Sequence, residues 1–174
     1  MIETRAIILD IQETKKKIEN LGAIFQGDYV YKDIILVSND ENNDLCDGYL
    51  RLRVYMKNNW ATKNCILVRK QAKSFNADIN KKFILKKEFD SENEALNFVN
   101  EEFSGEFQRG FEYSRQGWQY QLENNHIYIE QVEDLKPMIE VEAESEEKLN
   151  LLFNKIGIVE KLTESMPEIM RRKK

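Results

Sequence analysis

An α+β domain dominated by antiparallel sheet is the fold class that this 174-residue chain predicts, on three observations. About eight stretches alternate apolar and polar residues with a period of two, the spacing of half-buried strands. Helical stretches open on a capping residue and close on glycine. A unit of strand, amphipathic helix and returning chain recurs. Ile2-Glu3-Thr4-Arg5-Ala6, a helix and Leu21-Gly22-Ala23-Ile24 echo Ile139-Glu140-Val141-Glu142-Ala143, a helix and Ile156-Gly157-Ile158-Val159. Glu88, its capped helix and Gly105 repeat the plan.

In order, residues 2–9 read as a strand. Asp10 with Glu13 then caps a helix whose inner face is Ile11, Thr14, Ile18 and Leu21. A strand over 28–37 leads into the Asn/Asp-rich loop from Ser38 to Gly48. In Tyr49-Leu50-Arg51-Leu52-Arg53-Val54-Tyr55, Arg51 and Arg53 share the face opposite Leu50, Leu52 and Val54. Asn58 and Asn59 mark a turn, Cys65–Lys70 a strand and Gln71–Lys82 a polar loop. Phe83–Phe89 puts Lys86 and Glu88 on one face. Ser91 with Glu94 then caps a helix carrying Ala95, Leu96, Phe98, Val99 and Phe103. Two strands, Gly110–Arg115 and Trp118–Leu122, are expected either side of Gly117, and Ile127–Val132 follows the Asn124-Asn125 turn. The row Ile139-Glu140-Val141-Glu142-Ala143-Glu144 sets three carboxylates on one face. Ser145 caps a helix with Leu149, Leu152, Phe153 and Ile156 inward and Gly157 at its end, and the tail from Thr163 is a short helix with Pro167 in its first turn.

The length suits one domain over residues 1–174 that can bury a core without staples. A net charge of -5 gives no general attraction to nucleic acid, and no run is long or apolar enough to span a membrane. The N-terminus lacks a signal peptide's apolar core, so a cytoplasmic protein is expected, with no nucleic-acid or membrane partner. Cys46 and Cys65 have neither C-x-x-C spacing nor a histidine cluster, so they read as thiols. His126 is the single histidine, which argues against Ser-His-Asp or Cys-His catalysis and suits a strand start. The oligomeric state is open, a homodimer included.

Charged residues recur at alternating positions of almost every strand: Glu3, Arg5, Arg51, Arg53, Lys70, Lys86, Glu88, Arg115, Glu130, Glu140, Glu142 and Glu144. Two readings account for them. One is a sheet with a wet face. The other is a closed or nearly closed barrel whose apolar faces lie outward under the helices, leaving a charged lumen. A polyphosphate matches such a lumen, because arginine forks bind phosphate oxygens and clustered carboxylates hold Mg²⁺ or Mn²⁺. The absence of G-x-x-x-x-G-K-[ST] and G-x-G-x-x-G disfavours P-loop and Rossmann binding.

The arrangement resembles the CYTH domain, or triphosphate tunnel metalloenzymes, a family of class IV adenylyl cyclases, thiamine triphosphatases and inorganic triphosphatases. Glu3 and Arg5 resemble the end of an E-x-E-x-K motif with Met1 at its first position. Leu50-Arg51-Leu52-Arg53 resembles L-R-x-R, and Leu67-Val68-Arg69-Lys70 resembles L-T-x-K. Arg115 stands at the arginine of K-x-R with Tyr113 at its lysine. The run from Ile129 to Glu142 resembles L-D-x-V-x-x-L-G-x-F-x-E-x-E, with Glu130 for Asp and Lys136 for Gly. The resemblance implies an eight-stranded antiparallel β tunnel with helices outside, binding a small-molecule triphosphate or nucleotide with Mg²⁺ or Mn²⁺. It implies Glu3, Glu130, Glu140 and Glu142 as metal ligands, and Arg5, Arg51, Arg53, Lys70, Lys86 and Arg115 as phosphate contacts. Glu88 and Lys70 would be catalytic, Glu88 by ordering the cations or activating water. Family cyclases often carry a His-Phe pair before the first motif, which this sequence lacks, so hydrolysis is favoured over cyclisation. A non-catalytic binder of polyphosphate is the third reading.

Overall fold

The computed structural model describes residues 1–39, 45, 48–57, 63–71, 85–158 and 160–173. The expected Asn58-Asn59 turn, Cys46, most of the 38–48 loop, and the polar loop with Phe83 lie outside the described residues. The elements are β1 (Ile2–Ile7), α1 (Ile11–Asn20), β2 (Ile24–Ser38), β3 (Gly48–Lys57), β4 (Cys65–Gln71), β5 (Leu85–Phe89), α2 (Glu92–Glu102), β6 (Phe107–Leu122), β7 (Asn125–Val132), β8 (Met138–Ala143), α3 (Glu146–Ile156), β9 (Lys161–Leu162) and α4 (Met166–Lys173). This is the expected α+β class. The strands form one sheet in the order β5-β4-β3-β2-β6-β7-β8-β1-β9.

Three details differ from the expectation. The sheet has nine strands, because two residues, Lys161 and Leu162, pair with Arg5 and Ala6 and are too few to show a period. The order has two ends, β5 and β9, so among the described residues the ladder is not closed. The β5 end carries Lys86, Lys87 and Glu88, all exposed, the charges that guard a sheet edge against further pairing. Finally, the two strands expected around Gly117 are one strand of 16 residues. Gly117 is there for closeness: a Cβ on it would lie 2.2 Å from Cζ of Tyr29.

The helix signals act as read. Asp10, Ser91 and Ser145 each accept a hydrogen bond from the backbone N–H three residues on, satisfying one of the donors a helix start leaves open. Gly157 ends α3 with a φ of 83°, and the N–H groups of Gly157 and Ile158 both reach Phe153 O. That turn returns the chain to β1, where Ile7 N donates to Glu160 O. Leu21 does not join the buried face of α1. It caps the helix instead, 36% exposed.

The chain divides into two compact units, the first Met1–Val30 with Arg115–Ser165, the second Tyr31–Ser114 with Met166–Lys174. The long strands β2 and β6 give a half to each. In the first unit, Ile18 of α1 and Leu149, Leu152, Phe153 and Ile156 of α3 pack on Ala6, Ile127, Ile129, Ile139 and Val141. In the second, Ala95 and Val99 of α2 cover Ile34, Leu50, Leu52, Cys65, Leu67 and Phe89. Each fully buried leucine or isoleucine contributes roughly 1.5–3 kcal/mol, and these two layers are what hold the charged faces in place. Among the described residues no helix is long and apolar enough to cross a membrane.

Candidate functional site

In the first unit the helices cover one face of β1, β8 and β7, which leaves the alternate residues on the other. Register aligns that second face in rows. Glu3, Glu142 and His126 form one row, Arg5, Glu140 and Tyr128 the next, and Ile7, Met138 and Glu130 the third. Carboxylate oxygens of Glu3, Glu140 and Glu142 all lie within 4.8 Å of one another. Arg5 sits among them, hydrogen-bonded through Nη2 to Glu140 and 3.6 Å from Glu3. Its charge is opposed by burial but favoured by Glu140, Glu130 and Glu3, which together raise its pKa. The Glu140 carboxyl is pushed up by burial and by Glu130 and Glu3, with Arg5 acting against them. Glu142 is raised by burial and by Glu3.

Glu130 is not in the trio. Its Oε1 accepts from the Tyr29 hydroxyl at 2.7 Å and its Oε2 from Arg115 Nη1 at 3.0 Å, with both members of the ion pair about 4% exposed. Arg115, named as a phosphate contact, is thus bound to a residue named as a metal ligand. Tyr29 holds this pair from below Gly117, whose missing side chain makes room for the ring. Burial and the carboxylates of Glu142 and Glu140 raise the Tyr128 hydroxyl's pKa, which keeps it a neutral donor.

The second unit presents cations. Pairing of β3, β4 and β5 places Tyr49 with Lys70, Arg51 with Val68 and Lys86, and Arg53 with Ile66 and Glu88, all on the face turned away from the α2 core. Lys86 and Glu88 are exposed. Arg53 is gripped. Its Nε and Nη2 donate to Asp33 Oδ1 and Oδ2 at 2.9 and 3.1 Å, and its guanidinium lies 3.7 Å over the Tyr31 ring. Arg51 differs, since its Nε is buried with no acceptor among the described residues, as are those of Arg5 and Arg115.

Of the residues named from sequence, Glu3, Glu140, Glu142 and Arg5 are brought together, Arg115 is joined to Glu130, and Arg51, Arg53, Lys70, Lys86 and Glu88 share one face of the second unit. Sequence reasoning missed Tyr29, Tyr31 and Asp33. They occupy alternate positions of β2, the same signal that picked out the arginines of β3. His126 and Tyr128 were missed likewise, although both alternate with Glu130 on β7.

Three carboxylates gathered on one partly buried face supply the hard oxygen donors that Mg²⁺ or Mn²⁺ takes. Burial first, and then the neighbouring acids, push Glu140 and Glu142 up, with Arg5 opposing the rise at Glu140; the donor chemistry of the trio fits such an ion.

No protein-family model matches the sequence, and no curated protein does. Solved structures do match. A candidate adenylate cyclase from Vibrio parahaemolyticus superposes with a TM-score of 0.75 at 10% identity, over 98% of this chain and 97% of its own. The PH1819 protein from Pyrococcus horikoshii OT3 gives 0.74 at 18% identity, over 99% and 97%. The Hippeastrum protein HpAC1, a candidate adenylyl cyclase with a dominant triphosphatase activity, gives 0.70 at 16%, over 99% and 95%. The chain shares its fold with these proteins over nearly its whole length, as the resemblance to the CYTH domain, or triphosphate tunnel, proteins implied, with nine strands in a ladder that is not closed among the described residues.

Proposed function

We propose that the protein is a metal-dependent hydrolase of a triphosphate: inorganic triphosphate, thiamine triphosphate or a nucleoside triphosphate. The observation that carries this reading is the trio Glu3, Glu140 and Glu142 gathered around Arg5 on one sheet face. These carboxylates would hold Mg²⁺ or Mn²⁺, with Glu130 supporting them through Arg115 and Tyr29. A divalent ion there supplies Lewis-acid polarisation of a phosphate oxygen and a lowered pKa for water. Arg5 and Arg115 would contact phosphate in the first unit, and Arg51, Arg53, Lys70 and Lys86 in the second. Arginine contributes paired donors in a fixed plane, lysine a mobile point charge. Glu88 would accept a proton from water, and Lys70 would offset the leaving phosphate's charge.

The test is a phosphate-release panel over tripolyphosphate, thiamine triphosphate and ATP, with Mg²⁺ and with Mn²⁺, assaying cyclic AMP in the same samples. Release that needs the metal and falls at least about a hundredfold in Glu140→Ala and in Arg51→Ala, with folding intact, is the expected result. Equal activity in those variants would sink the proposal. Cyclic AMP and pyrophosphate from ATP would instead establish the cyclase reading, to which the Vibrio likeness lends support. Dominant triphosphatase activity in HpAC1 supports hydrolysis. Met1 and Tyr113, standing where the family motifs carry Glu and Lys, favour the third reading, binding without turnover; tight binding with no product would establish it.

A further inference from the structure

We propose that the Tyr128 hydroxyl is a binding group of the acid site: a neutral donor to an oxygen of a phosphate held on the ion of Glu3, Glu140 and Glu142. The proposal deepens the triphosphate reading, on which it rests for the identity of the ligand. It adds a contact that the pattern of charged residues does not single out.

Register sets Tyr128 of β7 opposite Glu140 of β8, and Glu140 opposite Arg5 of β1, so the three side chains form one row of the face that the helices leave uncovered. The two neighbours of Glu140 behave differently. Arg5 is a cation whose charge the acids take up, since it is hydrogen-bonded to Glu140 and lies 3.6 Å from Glu3. Tyr128 is half-buried, within electrostatic reach of Glu142, Glu140, Glu130 and Glu3. Among the described residues its hydroxyl donates to none of them, and its oxygen is not one of the buried atoms left without a partner, so it opens onto solvent. A donor that stands beside four carboxylates, bonds to none and stays wet keeps its hydrogen bond available to a ligand. The row continues to Gln119, also neutral, which leaves Arg5 as its cation. An ammonium or guanidinium in place of the phenol would pair with the carboxylates and compete with a divalent ion for them. A phenol, neutral at pH 7, does neither, and it can still donate to an oxyanion once the ion has brought one in.

Tyr128→Phe removes the hydroxyl and keeps the ring, and two titrations of the full chain read its role. Electron paramagnetic resonance of free Mn²⁺ gives the affinity for the ion, which should stay within about twofold of wild type, because the phenol is not among the ion's donors. Calorimetry in excess Mn²⁺ with the bis-methylene analogue of tripolyphosphate, whose P–C–P bridges resist hydrolysis, gives the affinity for the ligand. That affinity should fall roughly tenfold to a hundredfold, the worth of one hydrogen bond to a charged group. A loss of Mn²⁺ affinity as large as the loss for the analogue would make the hydroxyl a support of the carboxylates, and unaltered analogue affinity would make it idle. Either result overturns the proposal, as does a wild-type protein that binds no Mn²⁺ or no analogue. Analogue binding that follows the expected pattern, in a protein that releases no phosphate from tripolyphosphate, leaves the proposal standing and removes the hydrolase reading. Metal-dependent release with unaltered analogue binding in Tyr128→Phe does the reverse.

Discussion

The two units carry opposite charge on the sheet faces that their helices leave uncovered, yet each holds a buried carboxylate paired with an arginine. In the first unit Glu130 and Arg115 are about 4% exposed and bound to each other, while Glu3, Glu140 and Glu142 share a single arginine. In the second, Asp33 and Arg53 are joined by a fork, while Arg51 stands without an ion pair among the described residues. Matched pairs of this kind return little net stability, because desolvation consumes most of the attraction. What they supply is direction.

The comparison breaks most visibly if either pair is halved. Arg53→Ala and Arg115→Ala each leave a buried carboxylate behind, and each is expected to lower unfolding free energy in urea by about 3–5 kcal/mol. If one costs less than ~1 kcal/mol, that pair is not the support described. Next comes Gly117→Ala, whose new Cβ would overlap the Tyr29 ring; about 1–3 kcal/mol should be lost, and Tyr29→Phe should cost about the same by removing a hydrogen bond to a charged group. A smaller effect sharpens the acid side. Burial and Glu3 hold the folded Glu142 carboxyl above its ordinary value, so it binds its proton more tightly folded than unfolded. Its contribution to stability is therefore complete below the unfolded pKa and is lost as pH rises through the folded one. Without metal, the thermal midpoint should decline as pH rises from about 4.5 towards neutrality, less steeply in Glu142→Gln, and Mg²⁺ should oppose the decline only in the wild type. Smallest are the caps: Ser145→Ala in the first unit and Ser91→Ala in the second should each cost ~1 kcal/mol, equal within error.

Local rules were legible wherever a residue acts on near neighbours. Alternation located β1, β3, β4, β7 and β8, and the caps located the three long helices. Pairing between distant residues was not written in those patterns. Gly117 looked like punctuation until Tyr29 was seen beneath it, and Asp33 looked like one polar residue in a strand until Arg53 closed on it. Alternation put Glu130 and Glu140 on like faces but carried no information about which acid an arginine would claim. β9, with two residues, has no period to read.

The pairing of β1 with β8 also bears on the order of assembly. Arg5 and Glu140 meet across 135 residues of chain, and the trio they belong to draws Glu3 from the first strand and its partners from the eighth. Closing so long a loop costs ~4 kcal/mol in chain entropy beyond a constant, and nothing repays it until β8 has been made. The second unit is nearly contiguous, from Tyr31 to Ser114, so during synthesis its contacts are available first. Glu3 leaves the ribosome before Glu140 and Glu142 and waits for them. The acidic site is a late event in the life of each molecule, and a chain cut short before β8 would display its arginines with no acid cluster.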